Sequence, residues 1–575
     1  MDKIQLRNNV LIALFGALLF IPFLGSVHLF DWDEINFAEC AREMIVTGNY
    51  SKVQINFQPF WEKPPLFIWM QVLSMKMFGV NEFAARFPNA VCGIVTLLVL
   101  YNIGRKLFSD KFGLLWVLVY AGSFLTFFYF KTGIIDPWFN LFIFLGIYYA
   151  ILHTNNPVGK NGISTALLSG AFIGLSVLTK GPVGLLIFGL TVGVFALMKR
   201  FKGLTKVKFL VLFVISFLIF GFGWFLIEVI NGNADLVKEF IVYQVRLFNT
   251  KDAGHGGFLL YHFVVLLIGC FPASLFFLQS HQRSESDTPY QKHFKKWMII
   301  LFWVVLILFT IVKTKIVHYS SMCWFPLTFL SAYSIHKLLA GEYSFKKWTL
   351  YIGITLAMLL GIVFTAIPFI DSIKPYVINS GIIGDKFAIK NLEANGGWGG
   401  YEWIPGFVFL VGAVLLLMGM LRRQKARFIP LVFGVSLFAV FFISVLVVPK
   451  VELYTQGAAI EFYKSLKGKD CYLETSGFKS YAYLFYAEKR PEQNTTEINA
   501  YVAMAAKKEE NDERWDPAIS YSRYSTNFMI DEKVSKETYI VIKFMNEEEL
   551  TKARPKFKKL YAKNGFVFLR REAEL

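Results

Sequence analysis

Acidic and basic side chains are concentrated in one short stretch of this sequence, which lies between two apolar segments. Asp33 and Glu34 occur in DWDE, and Glu62 and Lys63 follow in FWEKPPLFIW. A second candidate carboxylate, Asp136, occurs in GIIDPW. A carboxylate held close to a hydroxyl can remove its proton as a general base, and a lysine can neutralise a phosphate. These residue types therefore predict acid–base chemistry beside an anionic group.

Other cationic residues and two histidines occur in short polar interruptions between apolar segments. They are Lys180 in KGP, Lys315 in KTK, Arg246, His255 and His318. These side chains can approach Asp33 only if their polar segments lie on the same side of the fold as Asp33. The apolar segments between them determine which side that is.

The composition is that of a protein that crosses a membrane several times. Hydrophobic residues make up 55% of the 575 residues and charged residues only 17%, which is more apolar surface than a soluble protein can bury. The net charge of +18 does not indicate nucleic-acid binding, because the basic residues form short clusters between apolar segments, as in cytoplasmic loops. The five cysteines include no CxxC pair and predict no disulfide framework.

Apolar windows of roughly 17–22 residues predict a mainly α, polytopic membrane helix bundle over residues 1–448. The windows number about 13: 9–29, 88–107, 112–130, 134–153, 163–179, 182–198, 208–230, 258–279, 297–313, 317–338, 348–370, 404–421 and 428–448. If the N-terminus is cytoplasmic, each connection on the same side carries Lys or Arg, as the positive-inside rule requires. The C-terminal end of an odd number of spans then lies outside the cytoplasm.

Two outer segments have recognisable local structure. In the long outer loop 30–87, apolar residues from Ile35 to Ile45 recur at helical spacing, which predicts a helix on the membrane surface that ends near Gly48. Residues 449–575 have the composition of a small extracytoplasmic α/β domain, with strands predicted in CYLETSG, TYIVIKF and GFVFLRRE.

In this topology the candidate residues all lie at or near the outer face, against the usual cytoplasmic bias of basic residues. An anionic lipid headgroup held at the interface would need such a cluster of cations. Simpler interpretations stay open: lysines that extend from helix ends to water, carboxylates that cap helices, and aromatic residues that form an interfacial belt. A carboxylate at membrane depth costs roughly 2.5–3.5 kcal/mol, which favours a functional role for Asp33 and Asp136.

The order of the motifs resembles that of the GT-C class of glycosyltransferases, which use lipid-linked sugar donors. In particular, the chain resembles the bacterial aminoarabinose (lipid A) transferases and the protein O-mannosyltransferases, that is, glycosyltransferase families 83 and 39. The motifs are DE at 33–34, AREM, GNY, FWEKP, IIDP, LTKG, AGH, and KTK followed by HY and FP. They extend over almost the whole chain and are more specific together than singly.

The resemblance implies that Asp33 and Asp136 are the essential acidic residues, that Lys63 contacts the lipid phosphate and that Tyr319 lines the donor cavity. Glu62 matches a position that binds a metal ion in some members. We add further candidates: Glu34 for catalysis; Lys180, Arg246 and Lys315 for the phosphate; His318 and Trp61 for the donor cavity; and His255 as a second ligand of a divalent metal ion.

Two positions depart from the aminoarabinose transferases. Asn36 and Phe37 stand where an arginine and a tyrosine usually follow the acidic pair, and Tyr243-Gln244 stands where a Glu-His pair precedes Arg-Phe. The arginine is displaced to Arg246. The sugar, the acceptor and the metal requirement therefore stay open.

These observations predict an inverting glycosyltransferase in the bacterial cytoplasmic membrane. It would transfer a sugar from a polyprenyl-phosphate donor to a lipid, glycan or protein acceptor at the outer face, and it would not bind nucleic acid. The alternative is a transporter or flippase of a lipid-linked saccharide, which predicts charged residues near mid-membrane in both halves of the bilayer. A third interpretation is a scaffold whose outer C-terminal domain binds a partner.

Overall fold

A computed structural model describes residues 2–60, 62–155, 162–202, 205–249, 256–282, 285–423, 428–507 and 517–574. Among these residues, nine helices are long and apolar enough to cross a membrane. They are Lys3–Phe20, Glu82–Leu107, Asp136–Asn155, Gly162–Lys180, Val207–Ile230, Pro289–Ile311, Lys347–Asn379, Ile404–Arg422 and Ile429–Glu452. Each overlaps one predicted window, and the predicted fold class, a mainly α membrane helix bundle, is confirmed.

The other four predicted windows coincide with short or interrupted helices. Window 182–198 is the 16-residue helix Val183–Met198. The remaining three are divided into Asp110–Ala121 with Phe124–Tyr129, Tyr261–Gly269 with Ala273–Phe277, and the 3-10 helix Val317–Cys323 with Trp324–Leu339. A hydropathy window does not detect such interruptions, because the residues on both sides of each break are equally apolar.

The first outer loop contains two helices joined by a short hairpin. Helix Asp33–Thr47 ends at Gly48, whose φ of 70° lies in the left-handed region that glycine adopts without strain. A two-stranded hairpin, Gln54–Ile55 with Gln58–Pro59, leads to helix Leu66–Phe78. Residues Glu34 to Met44 are buried. The helix predicted here is present, but over these residues other parts of the protein cover it, so it has no exposed apolar face there. Its position at the membrane surface stays a prediction.

The chain beyond the last long helix forms a four-stranded sheet flanked by helices. The strand order is Tyr472–Ser476, Thr538–Lys543, Phe566–Arg571, Lys558–Lys563, with the first pair parallel and the other pairs antiparallel. Three strands match the predicted ones. The fourth is an exposed edge strand, KKLYAK, whose three lysines interrupt the apolar run by which the others were recognised.

Two of the long helices end in short helical segments: Lys347–Asn379 includes Ile367–Phe369 and Ile370–Asn379, and Ile429–Glu452 includes Val448–Glu452. The remaining helices of the bundle region are Ala234–Asn249 and Lys386–Asn391. Those of the C-terminal part are Gly457–Ser465, Ala482–Tyr486, Pro491–Gln493, Thr496–Ala506, Pro517–Asp531, Phe544–Asn546 and Glu547–Ala553. One apolar cluster joins the C-terminal part to the outer loop: it includes Ile35 and Met44 of the loop helix and Phe462 and Phe568 of the C-terminal part.

A buried ion pair attaches the outer loop to the bundle. The Arg86 guanidinium lies 2.8 Å from the Glu34 carboxylate, and both side chains are at most 4% exposed. Arg86 also donates to the carbonyls of Leu24, Val27 and His28, in the segment that follows the first helix. Its donors are therefore used within the protein, which makes burial of the charge tolerable.

The same carboxylate contacts a second loop. Glu34 accepts hydrogen bonds from the backbone N–H of Phe30 and from that of Gly133. Gly133 is three residues before Asp136. The ion pair therefore sets the relative positions of the two loops that carry Asp33 and Asp136.

We predict that Arg86→Met destabilises the protein by roughly 3–5 kcal/mol, because the Glu34 carboxylate is left buried without its partner. Thermal unfolding of the purified protein in detergent measures this effect. The matched control is Lys558→Met, which removes one partner of the exposed pair with Glu572 and is expected to leave the melting temperature unchanged. Equal melting temperatures for the two variants would contradict the structural role of the pair.

Candidate active site

A cavity of about 290 Å³ lies between the first outer loop and the ends of several bundle helices. Seven of the residues singled out in the sequence line it: Asp33, Glu62, Lys63, Asp136, Lys180, His318 and Tyr319. The rest of the wall is largely apolar, with side chains such as Phe37, Phe139, Ile187, Leu308 and Phe309. The cavity thus joins charged groups from distant parts of the chain to an apolar surface.

The charged residues occupy the ends of their elements. Asp33 and Asp136 are the first residues of their helices, where the helix dipole favours a negative charge. Lys180 is the last residue of helix Gly162–Lys180, where the dipole favours a positive charge. Lys63 precedes the two prolines that lead into helix Leu66–Phe78, and a following proline biases its backbone towards an extended conformation.

Asp136 is the most enclosed of these groups, at 3% exposed. Its Oδ1 lies 2.5 Å from the Lys180 ammonium. Its Oδ2 has no hydrogen-bond partner among the described residues and lies 3.9 Å from His318 Nε2. The same His318 nitrogen is 3.7 Å from the Asp33 carboxylate, so the imidazole stands between the two acidic groups.

Asp33 is more accessible than Asp136, with 36% of its side chain exposed. Lys63, in the neighbouring wall, lies 3.7 Å from the Glu62 carboxylate and 5.3 Å from the centre of the Tyr243 ring. Lys180 lies 5.5 Å from the centre of the Tyr319 ring. Both ammonium groups thus lie at aromatic walls, within the range of cation–π attraction.

Two of the predicted residues occupy other positions. Glu34 is not part of the cavity lining, because its carboxylate points to Arg86 and to two backbone N–H groups. Lys315 donates instead to the carbonyls of Phe309, Thr310 and Val312, at 2.9, 2.8 and 2.6 Å. These carbonyls end helix Pro289–Ile311, where a lysine supplies donors that the helix itself lacks.

Three predicted residues cannot be compared with the structure. Trp61 and His255 lie outside the described residues. The backbone of Arg246 belongs to helix Ala234–Asn249, and its side chain is not described. Tyr243 and Gln244 of the same helix line the cavity.

The polar residue Asn140 was not predicted as part of the site. Asn140 lines the cavity and donates to the hydroxyls of Tyr129 and Ser321, each at 2.7 Å. It lies four residues after Asp136 in the same helix, so it shares a face with that carboxylate. Helical periodicity would have identified Asn140 from the sequence.

The predicted metal site, Glu62 with His255, stays a prediction, because His255 lies outside the described residues. The described residues contain no group of three or more His, Cys, Asp or Glu side chains arranged to hold a metal ion. The Glu62 carboxylate already lies beside the Lys63 ammonium. We therefore assign no chemical step to a metal ion.

The bundle interior beneath the cavity is filled with apolar side chains. Along helix Asp136–Asn155, Ile143, Phe144, Ile147 and Ile151 are fully buried. Charged residues at mid-membrane, which the flippase alternative predicts, are absent from this stretch of the described helix.

The fold of this chain, a membrane helix bundle, is shared with a known membrane protein. The chain superposes on the crystal structure of ArnT from Cupriavidus metallidurans bound to undecaprenyl phosphate with a TM-score of 0.72. The match covers 98% of this chain and 97% of ArnT at 18% identity. The structure of the same protein in the apo state gives the same TM-score at 16% identity.

Sequence comparison gives the same relationship. Residues 62–224 match the family described as dolichyl-phosphate-mannose-protein mannosyltransferase. The undecaprenyl phosphate-alpha-4-amino-4-deoxy-L-arabinose arabinosyl transferases of Wigglesworthia glossinidia brevipalpis and Shewanella sediminis are 26% and 27% identical, over 59% and 58% of this chain. The chain covers 61% of the length of each. The GT-C resemblance seen in the motifs is confirmed.

Proposed function

We propose that this protein is an inverting membrane glycosyltransferase that takes its sugar from a polyprenyl-phosphate donor. The observation that carries the proposal is the meeting of two carboxylates, Asp33 and Asp136, with two lysines, Lys63 and Lys180, in one cavity with an apolar wall. The carboxylates can accept the proton of the acceptor, and the cations can bind the phosphate. The apolar wall can contact the lipid chain. Each part of a lipid-linked donor thus has a matching surface.

The donor phosphate would lie between Lys63 and Lys180. Ammonium groups form strong charge-assisted hydrogen bonds with phosphate oxygens. The nearby aromatic and aliphatic residues, including Phe139 and Phe309, would contact the first isoprene units. The names of the related transferases, which specify an undecaprenyl phosphate-linked sugar, and the ArnT structure bound to undecaprenyl phosphate support a donor of this class.

In the reaction, the acceptor oxygen forms a bond to the anomeric carbon while the bond from that carbon to the phosphate oxygen breaks. Attack opposite the leaving group inverts the configuration. Asp33 takes the acceptor proton, since it is the more accessible carboxylate. The polyprenyl phosphate leaves with one additional negative charge, which the two lysines stabilise.

Asp136 and His318 would orient these groups. Asp136 holds Lys180 at 2.5 Å, and His318 lies 3.7 and 3.9 Å from the two carboxylates. A single water molecule can bridge polar groups at such separations. His318 would therefore fix the position of Asp33 relative to Asp136 while the acceptor proton is transferred.

The finer features of the predicted organisation belong to the same proposal. The N-terminus is cytoplasmic, the cavity opens at the outer face, and residues 449–575 form an outer domain that follows the membrane domain 1–448. Arg246, in helix Ala234–Asn249, would add a third cation for the phosphate, and Trp61 would contribute to the donor cavity. A divalent metal ion would enter the site only if His255 approached Glu62.

The sugar and the acceptor can be identified in the host. Deletion of the protein, followed by mass spectrometry of lipid A, surface glycans and glycoproteins, should reveal one missing sugar mass. Return of the wild-type chain should restore it. That mass is then the readout for variants of the site.

We predict that Asp33→Asn reduces restoration of the sugar by roughly 10²–10⁴-fold, because the acceptor proton then has no base. Protein level and melting temperature should match those of the wild type. Asp31→Asn, two residues away and outside the cavity lining, is the matched control and should restore transfer fully. Activity of Asp33→Asn within about twofold of wild type would exclude Asp33 as the general base.

We predict that Lys63→Gln and Lys180→Gln each weaken binding of undecaprenyl phosphate by roughly 10- to 100-fold, because each removes a charged hydrogen bond to phosphate. Titration of the purified protein with this lipid, followed by intrinsic tryptophan fluorescence, measures the affinity. Lys313→Gln is the control, since Lys313 is exposed and outside the cavity lining. Equal losses in all three variants would show that the effect is not specific to the cavity.

A further inference from the structure

A second cavity, of about 410 Å³, lies at the other end of the bundle. Its charged lining consists of Lys199, Lys202, Lys292 and Lys296, together with His293. None of its lining residues is acidic. We refer to it as the basic cavity.

The basic cavity and the candidate active site share three helices. Helix Asp136–Asn155 reaches the active site at its first residues and the basic cavity at Thr154; helices Val183–Met198 and Pro289–Ile311 likewise contribute to both. The 15 residues from His293 to Leu308 rise roughly 22 Å along the helix, most of the thickness of a hydrocarbon core. The two cavities therefore belong to opposite membrane faces.

The lysines of the basic cavity lack the ion pairs that other basic residues of this face possess. Arg105 pairs with Asp2 and Asp110, and Lys337 pairs with Asp287 at 2.9 Å and with Glu342 at 3.1 Å. Within the described part of the chain, no carboxylate lies within 4.0 Å of the four cavity lysines. Positive charges that converge on one hollow repel each other unless an anion joins them.

The floor of the cavity is a packed aromatic structure. The Phe195 ring stacks on Trp297 at 4.3 Å and meets the His293 ring edge-on at 5.3 Å. Lys296 lies 5.9 Å from the centre of the Phe195 ring, and His293 lies 3.2 Å from the Thr154 hydroxyl. Two of the basic side chains, Lys296 and His293, thus have defined positions against their neighbours.

Exposed apolar side chains lie next to the rim of the basic cavity. Leu197, Met198 and Phe201, beside Lys199, are 64%, 56% and 67% exposed. A cationic hollow beside an exposed apolar surface matches a phosphate with attached acyl chains. Basic pockets between helices at the cytoplasmic side commonly bind anionic lipid headgroups.

We propose that the basic cavity binds the phosphate group of an anionic membrane lipid, at the membrane face opposite the candidate active site. Lys292 and Lys296 contact the phosphate, Lys199 and Lys202 close the rim, and the acyl chains lie along Leu197 and Met198. A soluble phosphate ester carries the same anionic group and is the alternative source of the ligand. The proposal does not depend on the sugar-transfer reaction.

The test is native mass spectrometry of the full-length protein, titrated with dioleoylphosphatidylglycerol or with the zwitterionic dioleoylphosphatidylcholine. The cavity variant is Lys199→Gln/Lys292→Gln/Lys296→Gln, and the matched control is Lys106→Gln/Lys111→Gln/Lys347→Gln, three exposed lysines outside the cavity. We expect the cavity variant to bind phosphatidylglycerol at least about tenfold more weakly. The control variant should bind it as the wild type does.

Two further measurements separate the possible outcomes. Lys63→Gln should leave phosphatidylglycerol binding unchanged, which shows that the lipid does not occupy the candidate active site. Inorganic phosphate and pyrophosphate are titrated in parallel, and saturable binding of these ions without lipid binding would overturn the lipid assignment. If the triple variant unfolds, Lys296→Gln alone, with an unchanged melting temperature, takes its place.

Phosphatidylglycerol affinity within about twofold of wild type in the cavity variant would overturn the proposal. So would an equal loss of affinity in the control variant, because the effect would then come from net charge. Equal affinity of the wild type for the zwitterionic lipid would overturn it as well.

Discussion

The buried ion pair between Glu34 and Arg86 is the interaction on which the arrangement of the outer face depends. A pair of this kind is costly to bury and is retained where its hydrogen bonds are complete. Here Arg86 binds the carbonyls that follow the first helix, and Glu34 binds the N–H of Gly133. The pair therefore connects three separate segments, and two of them carry Asp33 and Asp136. The relative positions of Asp33 and Asp136 therefore depend on the Glu34–Arg86 pair, which takes no part in the proposed chemistry.

The remaining charges of the site are stabilised by local structure. Asp136 and Lys180 neutralise each other at 2.5 Å, and each lies at the helix end that favours its charge. The C-terminal part of the chain covers the outer loop through a shared apolar cluster, with Tyr481 stacked 6.1 Å from Trp32 at the cavity rim. This packing gives the C-terminal part a structural role: it holds the loop that carries Asp33.

Much of the fold could be predicted from the sequence because apolar windows and basic loops are local signals. All 13 windows coincide with helical segments, although interruptions such as the one before Ala273 are invisible to hydropathy. The buried position of helix Asp33–Thr47 could not be predicted, because the residues that cover it, such as those of helix Ala482–Tyr486, lie more than 400 positions away in the sequence. Its pattern of apolar residues suits a membrane surface and a protein interface equally.

In the candidate site, too, the residue types could be predicted from local motifs, whereas the direction of each side chain could not. Asp33 and Glu34 are adjacent and chemically similar, yet one faces the cavity and the other faces Arg86. Lys180 ends a helix and Lys315 follows the end of another, but only Lys180 lines the cavity, since Lys315 binds three carbonyls at the end of helix Pro289–Ile311. Residue type and motif identify these side chains as candidates. Their direction depends on contacts that form only in the folded chain.

The proposed reaction requires one cavity in which a lipid phosphate meets cations beside two carboxylates. A structure of this protein with bound undecaprenyl phosphate, determined by electron cryomicroscopy, tests that claim most directly. We predict the phosphate within about 4 Å of the Lys63 and Lys180 ammonium groups, with the isoprenoid chain along the apolar wall. A phosphate bound elsewhere on the protein, with the cavity between Asp33 and Asp136 left free of lipid, would contradict the account.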